Sequence, residues 1–323
     1  MSFLIPPLAL LLERFVGYPP LLTARIGHPV MWFGWMIAYM EQRTNTASRA
    51  ASQRKLAGIV SLALLLLVAL VAALLVQQIT RSIPLGWLLE MLIATPFLAQ
   101  KELGRAVEAV ADALGVSLAA GREAVSQIVG RDPQALDEAG VSRAAIETLA
   151  ESTSDGVVAP WFWLVLLGLP GIVLYKAINT ADSMIGHLNE RYRDYGWAAA
   201  RLDDVVNFIP ARLSAVLVTI ACFFMPDASP SKAWGAARRD ARGHKSPNSG
   251  WPEAAFAGAL GFSLGGPRHY DGELDDLPTM GNGDRRLGRY HITRALMLYT
   301  MVLNVLLGVS GLLALTIAFL ASP

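Results

Sequence analysis

Charge is what this chain has least of. Only 16% of its 323 residues are Asp, Glu, Lys or Arg, against roughly 25% in soluble domains. The 27 basic and 26 acidic residues nearly cancel, leaving +1, which excludes a bulk field that would recruit nucleic acid. Cysteine is almost absent too. Cys222 stands alone in an apolar run, so no internal disulfide forms, and without a CxxC or Cys/His pairing it reads as a packing or lipid-facing residue. A cleavable leader is not expected, because residues 3–12 have no basic residues before them and no small-residue cleavage site after them. That stretch is shorter than the roughly 20 residues that cross a ~30 Å hydrocarbon core, so it reads as a short, tilted or interfacial helix.

Long apolar runs are what the chain has most of. Residues 56–79 carry no charge after Lys55 and predict a membrane helix, as do residues 295–320 at the end of the chain. Three weaker runs lie between them. Residues 83–99 contain Glu90 and Pro96, residues 157–178 are interrupted by Gly168, Pro170 and Gly171, and residues 205–225 open with Asn207, Pro210 and Arg212. The expected fold is an all-α polytopic membrane protein of about four to six membrane helices. Residues 1–100 form its N-terminal membrane helices and 101–156 a cytoplasmic helical hairpin. Residues 157–225 hold a broken helix, a polar-striped helix and a membrane helix. A Gly/Pro-rich loop follows at 226–294, then the last membrane helix at 295–323. In the hairpin, Leu103, Val107, Val110 and Leu114 recur at helical spacing. Asp132-Pro133 and Ser142 are its expected helix starts.

Residues 41–55 hold four basic residues and one acidic, which predicts a cytoplasmic loop. If every later run spans, the polar stretches before and after residues 157–178 fall on opposite sides. A re-entrant element turning at Gly168–Gly171 keeps both on one side, provided protein or water covers its non-helical backbone.

Three blocks carry chemistry. In the first, Glu151 and Asp155 stand four residues apart just before an apolar run; they suit a hydrated Mg²⁺, or simply a polar helix end with an Asp-Gly turn. In the second, Lys176, Asn179/Thr180, Ser183, His187 and Glu190 line one helical face, with Asp182 at its edge. Asp203, Asp204, Asn207 and Arg212 then open the next apolar run. Such groups are expensive beside lipid and belong in a bundle interior, whether as a site or as a solvated face. The third block, residues 238–253, holds Arg238, Arg242, His244, Lys245, Asn248 and Glu253. Its cations suit phosphate or carboxylate. The glycines at 258, 261 and 265 suit an anion nest or tight packing, and the block matches neither GxxxxGK[ST] nor GxGxxG.

The runs ETLAESTSDGVVAPWFW, GLPGIVLYKAINTADSMIGH, LDDVVNFIPARL and RDARGHKSPNSGWPEAAFAGALGFSLGGP resemble the adenosylcobinamide-phosphate synthases (CobD/CbiB) of cobalamin biosynthesis, and HPVMWFG and IVGRD extend the likeness. Two positions depart from the family pattern: Ser152 stands where Asn is usual, and Tyr18 where an Asp is usual. The resemblance implies amide formation between a carboxylate of adenosylcobyric acid and (R)-1-amino-2-propanol or its O-phosphate, with ATP consumed. A carboxylate acylates poorly, so ATP would first convert it to an acyl phosphate. On side-chain chemistry, Glu151, Asp155, Asp182, Asp203 and Asp204 suit Mg²⁺, and Lys176, Arg238, Arg242 and Lys245 suit phosphates. His187 or His244 suits the base for the incoming ammonium. Asn179, Ser183, Asn207, Arg212, Asn248 and Glu253 complete the expected substrate contacts. The expected setting is the inner membrane with the site facing the cytoplasm. Expected partners are the lipid bilayer and either a second copy of the chain or other membrane proteins of the pathway. A transporter of a corrinoid or polar solute, or a non-catalytic scaffold, is the competing reading. Against the transporter, the two halves of the chain show no paired broken helices.

Overall fold

The computed structural model describes residues 2–129, 133–266, 268–270, 273–275 and 278–321. Its helices are α1 (Ile5–Phe15), α2 (Pro20–Ile26), α3 (Pro29–Thr44), α4 (Ala51–Arg81), α5 (Gly86–Ala94), α6 (Gln100–Val116), α7 (Leu118–Ser126), α8 (Glu138–Thr153), α9 (Ala159–Ile185), α10 (Trp197–Val206), α11 (Phe208–Ala221), α12 (Pro230–Asp240), α13 (Gly250–Leu260) and α14 (Arg289–Leu320). The chain divides into two compact units. One comprises residues 1–99, 159–207 and 310–323, the other residues 100–158 and 208–309.

Three helical stretches are long and apolar enough to cross a membrane: Ala51–Arg81, Glu138–Ile185 and Arg289–Leu320. A fourth is added if α10 and the helix after it count as one bent span. This is the lower end of the expected number. The run at 83–99 yields only the nine-residue α5 and a single 3₁₀ turn, too short for a ~30 Å core.

In the first unit α4 packs against α9, α3 and α10. The stretch ending at Ile185 is not a straight rod. At Gly168 the backbone takes φ 65°, ψ −151°, a region essentially reserved for glycine, and Pro170 follows. The chain reverses there. Gly171 lies against the Trp163 carbonyl and the Leu167 side chain, although residues eight apart in a continuous helix are separated by roughly 12 Å. Trp163 Nε1 donates to the Val206 carbonyl at 3.2 Å and the Tyr175 hydroxyl donates to Asn207 Oδ1 at 2.9 Å, so both halves reach the same short segment. The helix in residues 157–178 is therefore broken at the GLPG run.

In the second unit α6 buries Val107 and Val110 and packs with α7 and α8. Asp132 lies outside the described residues. The start of α8 is capped by Asp137, whose carboxylate accepts the Gly140 N–H at 2.7 Å. Ser142, expected as a cap, is instead buried inside that helix. The segment at 226–294, expected as a Gly/Pro-rich loop, contains α12 and α13, which pack closely on each other. Gly258 makes that approach possible, because a Cβ there would strike the Lys232 carbonyl; packing explains this glycine. Two short antiparallel ladders follow: Leu264–Gly265 with Thr279–Met280, and Arg268–Tyr270 with Glu273–Asp275.

Substituting Gly168→Ala forces an L-residue into this region at a cost of about 1–3 kcal/mol. The expected outcome is a lower thermal midpoint for detergent-purified protein, whereas Ala at the exposed Gly235 inside α12, which has open space around it, does not lower the midpoint, because Ala favours a helix interior over Gly.

Candidate functional site

Two polar centres emerge, one inside each unit. In the first, the second half of α9 faces α10. Asp203 is buried, and its two oxygens accept Asn207 Nδ2 at 2.9 Å and Asn179 Nδ2 at 3.5 Å. Asn207 in turn accepts from Tyr175. Tyr175, Asn207, Asp203 and Asn179 thus form one hydrogen-bonded line. The local sequence explains it: Asn207 stands at the break between α10 and α11, one turn beyond Asp203, while Tyr175 and Asn179 are one turn apart on α9. Asp182 brings a second carboxylate within electrostatic reach of Asp203.

Lys176 lies on the same helix, and it has a neighbour that no spacing rule suggested. His28, at the start of α3, accepts the Val30 N–H on Nδ1 at 3.3 Å and packs edge-on to Tyr18 at 4.7 Å. Burial holds its imidazole below the usual range, and the Lys176 charge adds to the effect. The HPVMWFG run was the only hint of this residue, and its distance in sequence from Lys176 hid the pairing.

Other expected members stand elsewhere. The stripe drawn as one helix from Lys176 to Glu190 ends at Ile185, so His187 and Glu190 are exposed residues beyond it. The chain leaves the helix because the following loop is tied down more strongly. Arg191 donates two 2.9 Å hydrogen bonds to Glu41, Arg54 pairs with Asp194 at 2.8 Å, and the Tyr195 hydroxyl reaches Ser61 at 2.9 Å. Ser183 is exposed, and its hydroxyl returns to the Asn179 carbonyl at 2.9 Å. Asp204 turns to Arg201 at 3.5 Å. It does not join Asp203, because consecutive helical residues point about 100° apart.

The second centre is built on residues 244–253. Ser246 Oγ accepts the N–H groups of Asn248 and Ser249, both at 3.2 Å, and the Ser246 N–H donates to His244 Nδ1 at 3.0 Å. This folded turn launches α13. His244 Nε2 faces Glu253 Oε1 at 3.7 Å, so both ring nitrogens serve the turn, and the imidazole positions it rather than standing open as a base. Arg212 donates to Asn248 Oδ1 at 2.9 Å and to the Pro247 carbonyl at 3.3 Å, while its guanidinium covers the Phe208 ring at 3.6 Å. Glu151 accepts from Ser249 Oγ at 2.8 Å. Glu147, one turn earlier, was missed by the sequence reading although it shares that helical face. It accepts the Gly265 N–H at 2.7 Å. Asp155 sits half-buried in a π-helical turn, Ser154–Val158, a distortion common at functional sites. Arg238, Arg242 and Lys245 are exposed.

Among the described residues no three His, Cys, Asp or Glu converge to hold a metal ion. An all-protein cage is therefore not what these carboxylates offer. Mg²⁺ that arrives with nucleotide phosphates needs only one or two carboxylates; Asp203, with Asp182 in electrostatic reach, is the residue that could supply one here.

A profile of the family described as CobD/Cbib protein matches residues 6–299. The Cobalamin biosynthesis protein CobD of Brucella anthropi is 48% identical over 317 residues, covering 95% of each chain. That of Rhizobium meliloti is 48% identical over 285 residues, covering 87% of each, and that of Rhodobacter capsulatus 44% over 309 residues, covering 94% of each. No solved structure matches.

The depressed His28 value has a signed consequence. Below the ordinary imidazole range the unfolded chain binds a proton that the folded chain resists, so the stability His28 contributes above about pH 6.5 is lost as pH falls. The thermal midpoint should drop between pH 7.5 and pH 5.5, and the drop should shrink in His28→Gln; an equal drop in both proteins would remove His28 as the cause.

Proposed function

The chain belongs to the CobD/CbiB family of cobalamin-biosynthesis proteins, and from that premise we propose that it forms an amide bond in corrinoid assembly at the expense of ATP. The substrates are a side-chain carboxylate of adenosylcobyric acid and (R)-1-amino-2-propanol or its O-phosphate. The observation that carries this reading is the line Tyr175–Asn207–Asp203–Asn179, with Asp182 in electrostatic reach of Asp203. Acid and amide groups in an apolar surrounding are costly unless they are used.

Making an amide from a carboxylate requires activating an oxygen as a leaving group, and ATP with Mg²⁺ supplies that phosphoryl chemistry. The rest of the task is positioning and charge stabilisation. In this reading Asp182 and Asp203 would hold the metal, and Lys176 would meet the developing negative charge. Asn179 and Asn207 keep the Asp203 carboxylate aligned. Tyr175 locks Asn207, whose amide would otherwise be free to rotate. The exposed His187 accepts the proton lost by the incoming ammonium. In the other unit Arg212 is fixed by Asn248 and Pro247 with its guanidinium over the Phe208 ring, and the exposed Arg238, Arg242 and Lys245 are cations of the kind that bind anionic groups. A cytoplasm-facing site in the inner membrane completes the reading, supported by the basic loop at 41–55.

Purified protein supplied with adenosylcobyric acid, aminopropanol phosphate, ATP and Mg²⁺ should release the amide product, and product should be absent without ATP. Lys176→Ala and Asp182→Asn should each lower turnover by about 10²–10³-fold, the loss typical of one preorganised electrostatic group, with unchanged membrane insertion. Accumulation of unmodified corrinoid in proteoliposomes without product would instead support transport.

A further inference from the structure

The first unit contains a cavity of about 560 Å³ that the proposed reaction does not use. It lies at the Arg81 end of α4, away from the ion-paired Arg54 near the other end. Arg81 stands on its lining, and Phe3, Ile5, Leu164, Leu313 and Ile317 supply an apolar wall. Glu90 also lines it, although only 3% of that residue is exposed. Glu90 accepts a 3.0 Å hydrogen bond from Gln77 Nε2 and has no ion-pair partner among the described residues. Gly168, at the reversal of α9, abuts this pair: a Cβ there would lie 3.1 Å from Gln77 Nε2 and 3.9 Å from Glu90 Oε1.

A carboxylate buried among membrane helices with one neutral amide as partner is costly, and a guanidinium on the same cavity leaves it unpaired. Two opposite charges that line one apolar cavity without bonding each other match a ligand carrying both charges and a hydrocarbon tail. We propose that this cavity binds a phospholipid with a primary-ammonium headgroup, of the phosphatidylethanolamine class. The ammonium pairs with Glu90, the phosphate pairs with Arg81, and an acyl chain lies along the apolar wall. The bilayer itself supplies this occupant at high local concentration. The same aminoalkyl-phosphate chemistry occurs in soluble amino-alcohol phosphates, but these offer nothing to the apolar wall. The proposal does not depend on the amide-forming reading.

The test is native mass spectrometry of delipidated full-length protein titrated with phosphatidylethanolamine, phosphatidylcholine or phosphatidylglycerol, with soluble aminopropanol phosphate as competitor. Wild type should bind one phosphatidylethanolamine roughly tenfold more tightly than the other two, the scale of a charge-assisted hydrogen bond. Glu90→Gln should erase that preference, and Arg81→Gln should weaken all three lipids alike. Equal binding of the three lipids to wild type would overturn the proposal, and displacement by the soluble phosphate would overturn the lipid as its source. If Glu90→Gln does not fold, the exposed Arg81→Gln still decides: unchanged affinities reject the site.

Discussion

A polar group in an apolar surrounding must find a partner within the protein, and in the first unit Asn207 is where that demand is met. Helix α10 stops at Val206, which leaves a carbonyl and a side-chain amide at the break. The Trp163 indole takes the carbonyl, while Asn207 receives the Tyr175 hydroxyl and donates to Asp203. Each bond alone is worth about 1 kcal/mol net, but leaving any of these buried groups unsatisfied costs more. Trp163 and Tyr175 come from opposite sides of the Gly168 reversal. One break in α10 therefore holds both arms of a hairpin in another helix.

The loop after α9 follows the same logic with stronger partners. Arg191 on Glu41 and Arg54 on Asp194 draw residues 187–196 toward the residues around the α3–α4 connection. Gly196 completes the fit by letting its backbone lie against the Ile185 carbonyl. These contacts end the polar stripe at Ile185 and leave His187 outside the helix. In the second unit the turn at 244–249 plays the comparable part. Its serines and histidine satisfy one another within the turn, and Arg212, Glu151 and Glu253 hold it from outside. The charges that the sequence marks as chemical thus divide into two kinds. Some build the turn and some, such as Arg238 and Arg242, are displayed on its surface.

Part of the candidate site was legible because the residues concerned are one helical turn apart. Asn179 with Asp182 or Ser183, and Asp203 with Asn207, obey that spacing, whereas Glu147 shares the face of Glu151 and was passed over. What failed was extrapolation of a face past the end of its element, as for His187 and Glu190, and the pairing of neighbours in sequence, as for Asp203 and Asp204. His28 was out of reach for a different reason. Its place near Lys176 depends on how α3 packs beside α9, and no local period carries that information.

Hydrophobic length, the scarcity of charge and the glycine and proline at 168–171 were enough to determine an all-α membrane protein and to mark where one helix breaks, because lipid permits few backbone arrangements and glycine alone takes the required torsion. The family was equally readable, since its motifs are long and ordered along the chain. Tertiary structure alone decided which polar groups are bonded and which are exposed. It joined Tyr175 to Asn207, set His28 near Lys176, turned Asp204 away and left Glu90 on a cavity, hydrogen-bonded to Gln77. Those outcomes depend on distances between elements remote in sequence, where burial selects the partner and periodicity has nothing to say.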